Sequence, residues 1–170
     1  MKDIQGRISF ICGLFLVVIA SLITETAVVR AENAPSVSRI SEIAHELKQQ
    51  LGIPQAVDVQ IVLTNNLAFS VEPADQRTHF IISVDSSFLR QLNDQELTAA
   101  VAHELGHVWI YTHHPFLHTE DFANEIALRV VSKDALTSLY DKLQQFEATR
   151  GDRAAASNSH LSSLTGHVSN

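Results

Sequence analysis

Residues 93–108, Asn93-Asp94-Gln95-Glu96-Leu97-Thr98-Ala99-Ala100-Val101-Ala102-His103-Glu104-Leu105-Gly106-His107-Val108, decide how the rest of the chain is read. Asn93 followed three residues later by Glu96 is the pattern of a capping box, in which each residue satisfies a backbone N–H at the start of a helix. Leu97, Ala100, Val101, Leu105 and Val108 continue it as an apolar stripe of helical spacing. The spacing predicts a helix from Asn93 through the His103 region, ended at latest by Pro115. Residues four apart lie one above the other on such a helix, so the His103 and His107 imidazoles can reach one ion. Glu104, one residue on from His103, stands beside that ion rather than on it. There a carboxylate can take a proton from an activated water.

A catalytic zinc takes three protein ligands and keeps one position open. His113 is six residues past His107, but that spacing works only where a glycine breaks the helix, and here the position is Ile110. Glu120 and Glu125 lie on the next predicted helix. At 100° per residue, Glu120 and Asn124 border the apolar side formed by Phe122, Ala123, Ile126, Ala127 and Val130, whereas Glu125 lies nearly opposite, with Arg129 one turn on. Against this, an antiparallel return from a helix continuing to His114 puts Glu125 nearer the level of the histidines. A ligand must face its metal whatever its height, so the expectation is Glu120, with Glu125 as the alternative. Asn124 is placed to bond the free nitrogen of one histidine and fix its tautomer. The small Ala123 and Ala127 allow the two helices to approach closely.

Working outward, residues 36–51 predict a helix, with Val37, Ile40, Ile43, Ala44, Leu47 and Leu51 at helical spacing and Gly52 and Pro54 as its stop. Residues 57–64 alternate as a strand. Asn65-Asn66 reads as a turn from which 67–71 pairs back as a second strand, and 73–76 reads as loop. Residues 79–84, nearly all apolar, predict a third and central strand. Thr119 caps a helix to about Val131, and Ser132 and Asp134 begin another to about Phe146. From Ala148 the composition turns to Ala, Ser, Gly, Asn and Thr, and residues 148–170 are expected to be a disordered tail. The fold class is α+β: an N-terminal helix, a small three-stranded sheet, then C-terminal helices including the one that carries His103.

The chain has 170 residues, of which 45% are hydrophobic and 18% charged, as expected of one ordinary globular domain. Its first 31 residues read otherwise. Lys2 and Arg7 precede an uncharged apolar run at 8–23, and Val29-Arg30-Ala31 offers a signal-peptidase site. The expectation is a signal peptide, 1–31, cleaved after Ala31. The mature chain is then exported, periplasmic or secreted, with no stable membrane span. The alternative is an uncleaved anchor, although sixteen apolar residues fall short of the roughly 20 a span needs. The domain follows at 32–147. Cys12, the one cysteine, lies in the leader, so any metal must be held by His, Asp or Glu. The net charge of −7 and the absence of any Lys/Arg cluster exclude nucleic acid and anionic lipid as partners.

Asn93-Asp94-Gln95-Glu96-Leu97 followed by Val101-Ala102-His103-Glu104-Leu105-Gly106-His107-Val108 resembles the active-site helix of HtpX-type and CAAX-prenyl-protease-type metallopeptidases. Glu120-Asp121-Phe122-Ala123-Asn124 is similar to the second element of the gluzincins and to the Glu–Ala–Asn pattern of the ImmA/IrrE proteases. The resemblance covers about residues 93–127. It implies a Zn2+ site with His103, His107 and Glu120 as ligands and Glu104 as catalytic residue. The interval from His107 to Glu120 is shorter than in these families, and no pair of spanning helices accompanies the motif, so membrane-embedded chemistry is not implied.

The expected activity is hydrolysis of a peptide or protein substrate, with Glu104 as general base and proton donor to the leaving amine. A strand edge, 79–84 being the candidate, would hold an extended peptide by backbone pairing. Tyr111, His113, His114 and His118 are candidate substrate or oxyanion contacts, and Trp109 is expected in the core. His160 and His167 fall in the tail, with no structural role expected. The alternative function is a non-catalytic zinc-binding or protein-interaction module of the cell envelope. A fourth protein ligand would mark it, since closed zinc sites are structural.

Overall fold

The computed structural model describes residues 35–165. The predicted signal peptide therefore lies outside the described residues. Among the described residues no helix is long and apolar enough to cross a membrane.

Helix α1 (Val37–Gln50) starts at Ser36, whose side chain accepts the Arg39 N–H. It ends where Gly52 takes φ 68°, a left-handed conformation that an L side chain would resist. The Gly52 and Ile53 N–H groups return to Gln49 and Lys48 carbonyls, closing the helix end. Ile40, Ile43, Ala44 and Leu47 face the core.

Three strands follow: β1 (Ala56–Val62), β2 (Phe69–Ala74) and β3 (His79–Asp85). The sheet order is β1-β3-β2, with β3 parallel to β1 and antiparallel to β2. Strand β3 is central, as its apolar run predicts, and Phe80, Ile82 and Val84 are fully buried. The expected hairpin at Asn65-Asn66 does not form. The Asn65 side chain instead bonds the Ser70 hydroxyl and the Ser83 carbonyl, and its N–H meets the Asp85 carboxylate. It thus carries the chain across the end of β3. The reversal falls at Asp75–Arg77, a 3-10 turn where Asp75 and Gln76 have φ of 43° and 55°. Pro73 and Ala74, read as loop, belong to β2. Pro73 fits there because β2 is an edge strand and the missing N–H costs no ladder bond.

A short helix α2 (Ser86–Leu89), capped by the Asp85 carboxylate, leads to α3 (Asp94–His113). The capping box forms as read: Asn93 Oδ1 accepts the Glu96 N–H at 2.9 Å, and Glu96 Oε2 accepts the Asn93 N–H at 2.8 Å. Leu97, Ala99, Ala100, Val101, Ala102, Leu105, Val108 and Ile110 are buried, so apolar contact surrounds most of this helix. It packs against α1, β2 and two later helices, α4 (Glu120–Ala127) and α5 (Lys133–Thr165).

Helix α4 stops earlier than Val131, because Leu128 caps it and the Val130 and Val131 N–H groups turn back to Ala127. Helix α5 runs past Phe146 and through the stretch read as a disordered tail, as far as Thr165. Ala154, Ala155 and Ala156 are strong helix formers, and a helix already nucleated by the packed turns at Leu136, Leu139 and Phe146 propagates easily.

Glu96 does more than cap. Ser138 of α5 donates to Glu96 Oε1 at 2.7 Å, and Lys142 Nζ lies 3.5 Å from Oε2. Burial alone would raise this carboxyl, but the bonds from Asn93, Ser138 and Lys142 outweigh it and hold the group below its ordinary value of 4.5. The unfolded chain then binds this proton more readily than the folded one. The stabilisation is fully present above about pH 4.5 and fades as pH falls through the lower folded value. Glu96→Ala is expected to cost about 2–3 kcal/mol near neutrality, the usual loss for bonds to a charged group. In urea titrations at several pH values, the gap between wild type and variant should narrow below pH 4.5.

Candidate metal centre

On α3 the His103 and His107 rings lie one turn apart, with centroids 4.7 Å apart and planes at 89°. Their Nε2 atoms are 3.1 Å from each other. Glu120, the first residue of α4, turns its carboxylate onto both: Oε2 is 3.1 Å from His103 Nε2 and 3.6 Å from His107 Nε2. Thr119 sets the start of α4 by accepting the Phe122 N–H. His103, His107 and Glu120 form the one group of three or more potential metal ligands found among the described residues. Glu125 is exposed and outside it, and Arg129 lies over the Trp109 ring, 5.0 Å from its centroid, rather than pairing with Glu125.

The close approach of α4 to α3 depends on Gly106. A Cβ at this position would lie 2.5 Å from the Ala123 carbonyl oxygen. Asn124, one turn after Glu120, accepts a hydrogen bond from His103 Nδ1 at 2.8 Å. A proton held on Nδ1 leaves the Nε2 lone pair facing His107 and Glu120, the form in which imidazole binds a metal. His107 differs, because its Nδ1 is buried without a hydrogen-bond partner among the described residues. Burial pushes His107 down to about 4, helped by the neighbouring His103 and His118 and opposed by Glu120, so this ring is neutral at pH 7.

Glu104 is 5% exposed and lines the same cavity as the two histidines and Glu120. Burial, with the charge of Glu120 added, pushes its carboxyl up to about 8. The cavity measures about 300 Å3. Its walls are β2, through Phe69, Ser70 and Val71, the face of α3, and Leu139, Tyr140 and Leu143 of α5.

The remaining sequence candidates are dispersed. His118 lines the cavity, with its ring 4.8 Å from His107 and 4.4 Å from Tyr111. His113 points elsewhere: it stacks on Trp109 at 4.2 Å and bonds the Trp109 carbonyl. His114 caps the end of α3. Trp109 is half-buried against the core. Tyr140 was not singled out by sequence. Its hydroxyl donates to Asn124 Oδ1 at 3.0 Å, and its ring centroid is 6.1 Å from that of His103. Burial raises its hydroxyl above the ordinary tyrosine value. No local pattern singles it out: Tyr140 is 36% exposed, beside the Leu136, Leu139, Leu143, Phe146 stripe.

A zinc ion fits the donor set. Two imidazole nitrogens and a carboxylate oxygen are its usual catalytic ligands, and ligands about 2.0–2.1 Å from a tetrahedral ion lie about 3.3 Å from one another. The three separations here are 3.1, 3.1 and 3.6 Å.

No protein-family model matches the sequence. Among solved structures, the chain is similar to the metallopeptidase zymogen of Pyrococcus abyssi abylysin, with a TM-score of 0.47 and 19% identity over 62% of this chain and 92% of that one. It is also 30% identical over 104 residues to the uncharacterized protein aq_aa15 of Aquifex aeolicus (strain VF5), an alignment spanning 61% of this chain and 86% of that protein. On that last match, the chain belongs to the family of aq_aa15.

Proposed function

We propose that this chain is a zinc-dependent peptidase, with His103, His107 and Glu120 as the zinc ligands and Glu104 as general base. The observation that carries the reading is the near-equilateral spacing of the three donor atoms at the wall of an open cavity. A site open on one side suits catalysis, whereas structural zinc sites are closed by a fourth protein ligand. When bound, zinc supplies a Lewis acid that acidifies water and polarises a carbonyl.

The chain's own residues do the rest. Asn124 holds the His103 tautomer. Glu104, in a low-polarity wall, takes a proton from the attacking water and returns it to the leaving amine. Apolar side chains of β2 and α5 line the cavity beside these groups, while Glu120 stays open to solvent with its side chain 72% exposed. The sequence reading gave the peptide-holding edge to residues 79–84. That assignment is corrected, because β3 is paired on both sides. Of the two edge strands, β1 and β2, it is β2 whose Ser70 and Val71 line the cavity, and an extended peptide adds there by backbone pairing. The charged start and apolar run of residues 1–31 support export to the periplasm or beyond, where the substrates are peptides or proteins.

Metal analysis tests the ligand set. Purified wild type is expected to hold one zinc per chain. His103→Ala and Glu120→Ala should each lose affinity by more than the roughly 10–100-fold that loss of an outer partner costs, while Glu125→Ala keeps its zinc. Full zinc occupancy in Glu120→Ala would remove this residue from the centre.

A further inference from the structure

Tyr140 is not the last residue of α5 to line the cavity. Leu143 and Glu147 follow it. Residues three and seven further along a helix share a face, and seven residues advance about 10 Å along the axis. Tyr140 stands beside His103, so Glu147 lies about 10 Å further along α5, with Leu143 between them; Phe69 and Phe88 add apolar surface to the same cavity. An extended peptide covers that distance in about three residues.

Among the described residues Glu147, an exposed side chain, is paired with no cation. Among the described residues no Lys or Arg lines the cavity. Arg150, the basic residue nearest along α5, is engaged elsewhere: it donates to the Asn65 carbonyl at 2.8 Å and lies over the Phe146 ring at 5.4 Å. A carboxylate at the exposed end of this cavity, with no ion-paired cation among the described residues, favours a positive group brought by the ligand.

We propose that Glu147 is a specificity-determining residue whose carboxylate meets a cationic group of the substrate, carried about three residues from the bond that is cut. This rests on the peptidase reading above, because that reading makes the His103 end of the cavity the reacting end.

The test uses the full chain carrying Glu104→Gln, so that bound peptides stay intact. The probes are N-acetylated, C-amidated leucine-containing hexapeptides that differ only by Arg, Gln or Glu at one position, moved along the peptide. Isothermal titration should give the order Arg, Gln, Glu, with at least about a 5-fold ratio between the extremes at one position. Adding Glu147→Gln should level the ratio, and Glu147→Lys should invert it. Thermal melting of both variants checks that the fold is kept. The same peptides with free N-termini separate the two sources of positive charge. A free amine that replaces Arg identifies a chain terminus as the cation, and Glu147 remains its partner. Equal affinities for Arg, Gln and Glu peptides, or an Arg preference that survives both substitutions, overturn the proposal. Cleavage by zinc-loaded wild type reads the other question. Peptides cut with no response to Glu147 sink this inference alone. Charge-dependent binding without any cleavage sinks the peptidase reading and leaves Glu147 as a binding determinant.

Discussion

Glu104→Gln is expected to lower kcat/KM for every peptide this chain cleaves by about 10²–10⁴-fold while leaving one zinc per chain. The factor is the ordinary contribution of a positioned general base. Glutamine has the shape of glutamate but cannot accept and return a proton. Glu104 is 5% exposed and followed by the fully buried Leu105, so a side chain of equal size keeps the wall intact. The carboxylate is not one of the grouped ligand atoms, so its loss should leave zinc content unchanged.

Metal content and turnover must therefore be measured on the same preparation. Loss of both together would make Glu104 a structural support of the centre rather than its base. Undiminished turnover would end the mechanism. The comparison belongs to the zinc-loaded chain, because burial pushes the Glu104 carboxyl up to about 8 in the chain alone. A divalent cation at the neighbouring donors acts in the opposite direction.

How far the sequence could be read depended on whether the deciding interactions were local. Helix α3 was legible because its start signal, Asn93 and Glu96, and its apolar stripe lie within the helix itself. That Glu120 rather than Glu125 stands beside the two histidines was legible from its face alone. The contrary argument from height failed for a physical reason. Between His107 and His113 the helix advances about 9 Å. Residues 114–119 travel back over that distance before α4 begins, and the His118 ring already lies against His107. Partner choice in the sheet was not legible. Asn65 and Asn66 carry turn chemistry, yet the Asn65 side chain bridges to Ser83, eighteen residues away. The real turn at Asp75–Arg77 holds left-handed backbone without glycine. Tyr140 and Glu147 became visible only once α5 was seen to fold across the cavity, a contact no local pattern encodes.

Gly106→Ala is expected to remove zinc binding more than it removes stability. The added Cβ would lie 2.5 Å from the Ala123 oxygen and 3.1 Å from its carbonyl carbon and Cα. These are backbone atoms, so no side-chain rotation relieves the overlap and α4 must shift as a body. Overpacking of this kind costs about 1–3 kcal/mol. Alanine in a helix interior returns up to about 1 kcal/mol relative to glycine. The net loss of stability is then small. The displaced helix, however, carries Glu120 and Asn124 on either side of Ala123, and both meet the histidines at distances of 2.8–3.6 Å. A shift of α4 breaks one ligand and one tautomer-fixing bond together, so zinc affinity should fall by more than the roughly 10–100-fold cost of an outer partner alone. Competition titration with a chelating dye reads the affinity, and urea unfolding of the metal-free chain reads the stability. Adding Ala123→Gly should not rescue zinc binding, because the obstructing atoms belong to the main chain and remain. Rescue by that second change, or wild-type affinity in Gly106→Ala, would show that helix approach does not control the centre.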